Sequence, residues 1–450
     1  MGTIYIDSGG AAGNSGSRDQ NAALVSGTNA TVAGSVVTLD GSPDLSSIVT
    51  SGANQDSIRL EQANNANMKI FWITAFDDVA KTVTVSVAPT GVTGSNWKIG
   101  GRIIGSEGHD GVNVLRAGDT AVVNTSITQT AGTPWTIRAS GDTTSGYVKI
   151  RGAAGVRPVI TQSAASTNVI NFNSKAYTWL QSLDLAQTHA TAGVLSACGI
   201  STVLYDVKIS DSGAGGVVVN AGQSVSVIAS EISGVASDAI GGSSQNGVHV
   251  IGSYIHDCSG DGIELTGNAP LSFVLNSVID TCSGRGVYFS SASVAVNGHP
   301  TASIIGATIY GCGSSGVEAV DADLRLLLLN SILLDNGNVG TEYNVNWPTQ
   351  SFQLTNFGAY NCFNADGGLG GGNLSNYTAD ATDITTAPAF ENAAGADFRL
   401  TTGSPCVATG FPGQLLGGGT GGLGYLDMGA VQRREFQGGR ALVVQGIGTY

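Results

Sequence analysis

Two acidic residues and an arginine recur at a spacing of one structural repeat in the middle of the chain. Asp238, Asp261 and Arg285 follow one another at steps of about 23 to 24 residues. If each step is one turn of a repeating structure, the residues lie on successive layers about 5 Å apart. Carboxyl groups about 5 to 5.5 Å apart suit a retaining glycosidase. The alternative is structural, because Asp in turns commonly accepts hydrogen bonds from backbone amides.

A second set of residues suited to this chemistry follows three positions later in each repeat. Glu264 and Glu318 are two repeats apart, with Tyr288 at the equivalent position between them. Two layers place the glutamates roughly 9.5 Å apart, within the range that an inverting glycosidase uses to admit water. Tyr288 could stack on a sugar ring between them. The alternative is an ordinary solvated face, since all three residues alternate with apolar ones.

No set of residues has the spacing of a metal, cofactor or nucleophile site. The five histidines are His109, His189, His249, His256 and His299. Their spacing matches no metal site. Asp211 and Asp257 occupy equivalent positions, but Gly234 lies between them, and a calcium site needs several carboxylates on adjacent layers. No Ser-His-Asp arrangement or phosphate-binding loop is evident, so we predict no metal and no cofactor.

These spacings have meaning only if the chain folds as a stack of equivalent coils, and one aliphatic column indicates this. The column comprises Ile209, Ile232, Ile255, Ile279, Ile309 and Leu333, with a period of about 23 to 24 residues and one longer step before Ile309. Stacking coil on coil buries like residues together and pairs the backbone. A leucine-rich repeat has a similar period, but its L-x-x-L-x-L pattern and helices are absent. The sequence predicts an all-β, right-handed parallel β-helix.

Further columns run beside the aliphatic one. Two residues before it stand Val207, Ser230, Ser253, Ser277, Ala307 and Ser331. Three residues after it stand Ser212, Val235, Cys258, Cys282, Cys312 and Asn336. Seven residues after it stand Gly216, Ala239, Gly262, Gly286, Gly316 and Gly340, and eight after it Val217, Ile240, Ile263, Val287, Val317 and Thr341. We expect the cysteines to form a ladder of buried thiols and not a metal or redox site, because Cys is often buried and the column has no His.

The rest of the chain divides into an N-terminal module and a C-terminal segment. Residues 1–104 lack the repeat, so we predict a small β-barrel or β-sandwich for attachment or capping. Its strands are predicted over 35–41, 56–62, 68–78, 81–89 and 96–101. The β-helix is predicted over 105–400, with an insertion near 290–303 that should emerge as a loop. Residues 401–450 are expected to supply a terminal coil, Gly-rich loops and a strand for capping or oligomerisation.

Composition excludes several classes of protein. The 450 residues include 66 Gly but only 10 Pro, and 42% are hydrophobic, so neither collagen nor a disordered chain fits. The net charge of -14 and the absence of Lys after Lys208 argue against a nucleic-acid partner. No apolar run approaches the roughly 18 to 20 residues of a membrane span, and the first residues lack an export signal pattern. We expect a soluble protein made in the cytoplasm.

Several segments resemble the pectate-lyase-like right-handed parallel β-helix superfamily. They are AGDTAVV (117–123), IRASGDTTSGYVKIRG (137–152), YIHDCSGDGIEL (254–265), and GSPCVATG with LDMGAVQRR (403–410 and 426–434). The resemblance implies the fold over residues 105–435. Members of the superfamily include pectin-active enzymes, other polysaccharide lyases and hydrolases, adhesins and bacteriophage tailspikes. Residues 56–89 in addition resemble small β-modules of phage virion proteins.

These features favour a bacteriophage virion structural protein: a tailspike, fibre or decoration subunit whose β-helix binds cell-surface polysaccharide. The resemblance implies a homotrimer that contacts other virion proteins and is located in the virion, with an extracellular location as the alternative. A second hypothesis is a polysaccharide depolymerase, a lyase or glycosidase that uses the carboxylates described above. A third is a bacterial adhesin. The structural alternatives for those carboxylates favour a role without catalysis.

Overall fold

The computed structural model of the chain is almost entirely β-structure. It describes residues 2–11, 14–20, 22–52, 54–63, 69–129, 132–165, 167–210, 213–219, 223–242, 247–266, 272–291, 301–320, 325–337, 343–346, 357–363, 374–375, 377, 379–410 and 427–431. The chain forms two compact units, residues 1–208 (unit 1) and residues 209–450 (unit 2). The predicted all-β fold is therefore confirmed.

A closed antiparallel barrel of six strands lies near the start of unit 1. In order around the barrel its strands are Val25–Ala33, Val36–Thr38, Thr82–Val85, Ile70–Asp77, Ser57–Leu60 and Thr93–Ile99. Ile58, Phe71 and Trp97 are buried in its core. The small β-module predicted from the sequence is thus a barrel. Its first strand was not predicted, because only Ala30 in it is buried and no apolar alternation marks it.

The first strand of the chain, Thr3–Asp7, lies in the parallel structure and not in the barrel. It pairs in parallel with Thr120–Val123, and its Ile4 and Ile6 are fully buried. The barrel therefore begins later than the predicted module of residues 1–104. The alternation of apolar and polar residues could not assign this strand to the barrel or to the parallel sheet. A short strand with two inward isoleucines fits either one.

A short helical segment follows the barrel and was not predicted. A 3-10 turn over Gly105–Glu107 continues into an α-helix over Gly108–Asn113. Six residues provide little periodicity from which a helix could be recognised. In the part of the chain that the structure describes, no helix has the length and apolar character needed to cross a bilayer.

A buried arginine joins the barrel to this helical segment. Arg59, only 2% exposed, contacts Glu61 at 3.0 Å, Glu107 at 3.2 Å and Asp110 at 3.0 Å. Asp110 is itself 3% exposed. Charges removed from water are costly unless they are paired, so each member of this cluster depends on the others.

The remainder of unit 1 consists of parallel strands on three walls. The first two walls form a continuous sheet with Ile103–Ile104, Thr120–Val123, Ile127–Gln129, Val148–Gly152, Val159–Gln162, Thr178–Gln187 and Thr202–Ser210. The third wall holds Trp135–Thr136, Ile170–Asn171 and Leu195–Cys198. Aliphatic side chains such as Ile150 and Leu180 are fully buried between the walls. Three walls around one apolar interior define a parallel β-helix.

Unit 2 repeats these three walls over successive coils. Its first wall holds Ser224–Ile228, Gly247–Ile251, Ser272–Leu275, Thr301–Ile305, Arg325–Leu329 and Phe357–Ala359. Its second wall holds Glu231–Ser233, Tyr254–His256, Val278–Asp280, Thr308–Tyr310, Ile332–Leu334 and Cys362–Phe363. Its third wall holds Val217–Val219, Ile240–Gly242, Ile263–Thr266, Val287–Ser291, Val317–Ala319, Val345–Asn346 and Leu374–Ser375. A hairpin of Phe390–Asn392 and Asp397–Leu400, joined by a 3-10 turn over Ala393–Gly395, follows.

The predicted aliphatic column is confirmed along the second wall of unit 2. Ile232 pairs with Ile255, then in turn Ile279, Ile309 and Leu333 follow in register. All five side chains are buried. The register holds across the longer interval before Ile309, whose extra residues fall largely within 292–300 and outside the described residues.

Side-chain hydrogen bonds link successive coils at two predicted columns. The backbone N–H of Ser230 donates to Oγ of Ser253 at 3.2 Å, and that of Ser253 donates to Oγ of Ser277 at 3.2 Å. All six cysteines are free and buried. The thiols of Cys258 and Cys282 donate to carbonyl oxygens two residues earlier, and the contact with Cys282 together with burial raises the pKa of Cys258. The column is a ladder of buried thiols, as predicted.

One column differs from the prediction at its last member. Val317 pairs with Val345 and not with Thr341. The coil is four residues longer at this point than the regular period implies, so counting from the anchor gave the wrong partner. Thr341 and its neighbour Gly340 lie outside the described residues, as does the strand predicted at 441–450.

We predict that Gly286→Ala destabilises unit 2. A Cβ at this position would lie 2.4 Å from Cγ2 of Ile309 and 2.5 Å from the carbonyl oxygen of Gly316. Overpacking of this kind costs about 1 to 3 kcal/mol. Ala239 occupies the same column on another coil and is fully buried, so Ala239→Gly is the matched control, with a smaller expected loss. Thermal unfolding followed by circular dichroism measures both, and an unchanged midpoint for Gly286→Ala would contradict the prediction.

Candidate functional site

The turn before the third wall of unit 2 brings the predicted aspartates together on successive coils. The backbone N–H of Asp261 donates to Oδ1 of Asp238 at 2.8 Å, and that of Arg285 donates to Oδ1 of Asp261 at 2.6 Å. Glycines permit this close approach. A Cβ on Gly260 would lie 2.4 Å from Oδ1 of Asp238, and one on Gly284 would lie 2.4 Å from Oδ1 of Asp261. The three predicted residues therefore lie one above another in the predicted order.

Asp261 is held by the turn of the next coil. Besides accepting the backbone N–H of Arg285, it accepts a hydrogen bond from Nη1 of the same residue through Oδ2 at 3.0 Å. Its side chain is 10% exposed, and burial raises its pKa, opposed by the interactions with Arg285. Both carboxylate oxygens of Asp261 accept hydrogen bonds. This agrees with the structural alternative inferred from the sequence, in which an Asp in a turn accepts hydrogen bonds from backbone amides. A nucleophile needs a lone pair facing its substrate, so this geometry favours a positioning role for Asp261.

The predicted glutamate column lies along the third wall itself. Glu264 pairs with Tyr288, and Tyr288 pairs with Glu318. Two coil spacings separate the glutamate backbones by about 9.5 Å. Each of the three follows a buried branched residue and is itself partly exposed. All three side chains therefore share one outer surface of unit 2.

The surroundings of Glu264 favour the protonated form of its carboxyl group. Burial and the negative charge of Asp238 raise its pKa, and Asp261 adds to the rise. A hydrogen bond between the carboxyl groups of Glu264 and Asp238 acts in the same direction, whereas one with Ser290 opposes it. Two carboxyl groups in contact do not both ionise readily. Ser290 was not predicted, although it follows Tyr288 by two positions, a spacing that places both on one face of a strand.

Arg285 links the aspartate turn to the glutamate column. Its guanidinium contacts Asp261 at 3.0 Å and Glu318 at 3.4 Å. Its Cζ lies 3.5 Å from the centroid of the Tyr288 ring, within the range of a cation–π contact. Glu318 also accepts a hydrogen bond from Oγ of Ser315 at 3.0 Å. Because the guanidinium covers one face of Tyr288, a sugar ring cannot stack on that face.

The two glutamates differ in their surroundings in a way that matters for chemistry. Glu264 contacts another carboxyl group, whereas Glu318 contacts a guanidinium and a hydroxyl. Carboxyl groups with contrasting environments are candidates for the acid and base of one reaction. The surface thus carries a carboxyl group with a raised pKa and a second carboxyl group two coils away.

A second polar cluster lies on the second wall, near the C-terminal hairpin. His256 contacts Glu231 at 3.5 Å and Asp257 at 2.8 Å. Burial alone would lower the pKa of His256, but its contacts with Glu231 and Asp257 raise it. The hydroxyl of Tyr254 donates to Oδ2 of Asp280 at 3.1 Å. Burial raises the pKa of Asp280 to about 6, and its Oδ1 is buried without a partner among the described residues.

We predict that Asp280→Asn stabilises unit 2 at neutral pH. Because the pKa of Asp280 is raised in the folded state, its contribution to stability is present at low pH and is lost as pH rises through about 6. Asn keeps an oxygen for Tyr254 and carries no charge. We expect a gain of about 1 kcal/mol near pH 7 and a shallower decline of the thermal midpoint between about pH 4 and 6, the range between the unfolded and folded pKa of Asp280. His256 titrates in the same direction but above its ordinary pKa of 6.5, so a decline at higher pH remains in the variant. A variant with the wild-type pH profile would contradict the prediction.

Each described histidine contacts a side chain other than histidine. His249 stacks on Phe273 with ring centroids 4.3 Å apart, and His109 contacts Asp110 at 3.3 Å. His299 lies outside the described residues. Over the residues that the structure describes, no three His, Cys, Asp or Glu side chains are grouped so as to hold a metal ion.

The three walls define a parallel β-helix protein, and a comparison with known families agrees with this class. Residues 192–346 match the family described as right handed beta helix region. That segment contains every residue of the candidate site. A comparison with curated proteins gives no match.

Three solved structures illustrate the similarity. Pectate lyase Pel9A is 13% identical, with a TM-score of 0.45, and the match covers 74% of this chain and 92% of that one. The A-module of the Azotobacter vinelandii mannuronan C-5 epimerase AlgE4 is 11% identical, with a TM-score of 0.40 and coverage of 59% and 88%. XylC, in complex with xylose, is 13% identical, with a TM-score of 0.33 and coverage of 77% and 65%. These values assign no activity to the chain.

Proposed function

We propose that the chain is a polysaccharide depolymerase that hydrolyses a glycosidic bond with inversion, using Glu264 as general acid and Glu318 as general base. The observation that carries the proposal is the contrast along one column. Glu264 has a pKa raised by burial and by Asp238, and Glu318 lies two coils away beside Arg285. Two coil spacings place their backbones about 9.5 Å apart, and an inverting glycosidase uses carboxyl groups about 6.5 to 9.5 Å apart.

The proposed reaction balances protons between these two groups. Glu264 gives its proton to the glycosidic oxygen as the bond from that oxygen to the anomeric carbon breaks. Glu318 accepts a proton from the water whose oxygen forms the new bond to the anomeric carbon from the opposite face. The products are a free hydroxyl on one fragment and a reducing end of inverted configuration on the other. Solvent then returns the proton from Glu318 to Glu264.

The neighbouring residues have positioning roles in this proposal. Asp238 keeps the proton on Glu264 by its charge and by their hydrogen bond. Arg285, held by Asp261, fixes the carboxylate of Glu318. Approach of the water requires the contact between Arg285 and Glu318 to open, and at 3.4 Å it is longer than a strong charge-assisted hydrogen bond.

The experiment uses the full chain with a panel of acidic and neutral polysaccharides. Hydrolysis gives reducing ends without the ultraviolet absorbance of unsaturated uronates, and proton NMR identifies the first anomer formed. Inverted product supports the proposal. Unsaturated product would indicate a lyase, retained product would exclude the assigned pair, and no product from any polymer would remove the depolymerase proposal. Glu391→Gln, an exposed glutamate on the C-terminal hairpin, is the matched control and should retain full activity.

A second candidate function is a phage virion spike, fibre or decoration subunit. The closed barrel of unit 1 supports it, because its strands Ser57–Leu60, Ile70–Asp77 and Thr82–Val85 come from residues 56–89, the segment whose sequence resembles small modules of virion proteins. On this proposal the barrel attaches the chain to other virion proteins, the chain is a homotrimer, and the virion is its location. Light scattering after size exclusion tests the trimer. Neighbouring portal or tail genes would support the role, whereas sugar-transport genes would argue against it.

A further inference from the structure

An aromatic row lies on the outer surface of the β-helix in unit 1. Strand Val148–Gly152 pairs with Thr178–Gln187 so that Lys149 is opposite Trp179 and Arg151 is opposite Gln181. The intervening residues are buried, so these four face outwards. Large apolar side chains on an outer β-surface are unusual unless they serve binding or packing.

Four aromatic rings continue this row over three coils. Tyr147 meets Trp179 edge to face, with centroids 5.5 Å apart, and meets Tyr177 at 5.8 Å. Trp179 in turn lies 6.4 Å from Tyr205, which is 40% exposed. We call the rings together with Lys149 the aromatic face. Ring faces carry partial negative charge and attract the C–H groups on the flat side of a sugar.

The charge near the aromatic face is opposite to that of the chain. Residues 138–208 contain six basic residues and three acidic ones, whereas the chain carries a net charge of -14. Nζ of Lys149 lies 5.8 Å from the Trp179 ring centroid. Two of the three acidic residues, Asp184 and Asp206, are paired with Arg157. The remaining charge therefore suits an anionic partner.

Trp179 also has an unused hydrogen-bond donor. Its indole N–H is buried and has no partner among the described residues. Buried indole N–H groups usually have an acceptor, and leaving one without costs free energy. Lys149, whose side chain is flexible and lies over the ring, can move aside and admit a hydroxyl oxygen. Purely structural packing of the rings does not account for this unpaired donor.

We propose that the aromatic face binds an acidic polysaccharide. Sugar rings stack on Trp179 and Tyr205, uronate carboxylates pair with Lys149 and Arg151, and a sugar hydroxyl accepts the indole N–H. This binding is separate from hydrolysis at Glu264, and its success or failure does not depend on that reaction.

The test measures binding of the full-length Glu264→Gln chain to polygalacturonate and to dextran by affinity electrophoresis and titration calorimetry. We expect polygalacturonate to bind and dextran to bind much more weakly. Trp179→Ala should weaken binding by roughly five- to tenfold, the scale of one lost aromatic contact. Lys149→Gln should weaken it at low salt and have little effect at high salt, because salt screens exposed charges.

Matched controls keep the test decisive. Phe76→Ala removes a ring that is 37% exposed in the barrel of unit 1 and should leave affinity unchanged. If Trp179→Ala fails to fold, binding by Tyr205→Ala tests the proposal instead. The ring of Tyr205 is more exposed, so its removal should disturb the fold less. Equal affinity for dextran would show that uronate carboxylates do not pair with Lys149 and Arg151, which contradicts the proposed preference for an acidic polysaccharide. No binding of polygalacturonate, or full binding by folded Trp179→Ala and Tyr205→Ala, would overturn the proposal.

Discussion

On the proposed mechanism, replacing Glu264 by Gln should lower the rate of polysaccharide hydrolysis by about 100- to 10,000-fold, the range attributed to a general acid. Gln has nearly the same shape but cannot donate an acidic proton to the leaving oxygen. Substrate binding should change little, so kcat falls while KM stays within a few-fold of the wild-type value. Initial rates of reducing-end formation measure both. Full activity in Glu264→Gln would show that Glu264 is not the general acid. It would not affect the description of the fold.

The pH profile separates an acid from a merely structural glutamate. The proposed mechanism requires protonated Glu264, so kcat should fall as pH rises through its raised pKa. Asp238→Asn removes the charge that contributes to this rise, so the pKa of Glu264 should drop and the alkaline limb should move to lower pH. The Asn oxygen can still accept the backbone N–H of Asp261, which preserves the turn. An unshifted alkaline limb would show that Asp238 does not act through Glu264.

Replacing Arg59 by Ala should lower the free energy of unfolding of unit 1 by about 3 to 5 kcal/mol. The substitution leaves Asp110, 3% exposed, without the guanidinium 3.0 Å away. It also leaves a cavity in the barrel wall. Urea denaturation followed by the fluorescence of Trp97 and Trp72, which are buried nearby, reports the loss.

Two further variants test whether this loss of stability comes from the buried ion pairs. Asp110→Asn in the Arg59→Ala background removes the stranded charge and should recover part of the stability. Arg399→Ala breaks an exposed pair with Asp397 in unit 2 and should leave the midpoint unchanged, because exposed ion pairs contribute little. A loss in Arg59→Ala no larger than that in Arg399→Ala would mean that the buried cluster contributes no more than a surface pair.

The walls of unit 2 could be predicted because the repeat constrains their register. A parallel stack places equivalent residues one above another, so the spacing from Ile232 to Ile255 and Ile279 determined which residues pair. The same reasoning placed Glu264, Tyr288 and Glu318 in one column. The register between coils depends on the number of residues in each coil, and this number can be counted in the sequence.

Other features depend on side-chain direction or local length and were not predictable in this way. The guanidinium of Arg285 covers the ring of Tyr288 because its side chain bends toward the neighbouring column, and residue spacing does not specify a rotamer. The pairing of Val317 with Val345 depends on four extra residues in one coil. The strand Val25–Ala33 is recognisable only from its partners in the barrel, because its own sequence shows no apolar alternation.

The hydrogen-bonded column of Ser230, Ser253 and Ser277 allows molecules of this kind to gain whole coils. Ser253 accepts a hydrogen bond from the coil before it, and its own backbone N–H donates to the coil after it. Both sides of such a layer are chemically alike, so a duplicated layer inserted there would meet matching donors and acceptors above and below. Genetic duplication of a single coil could therefore extend the molecule by whole steps while each end and each lateral surface kept its own character.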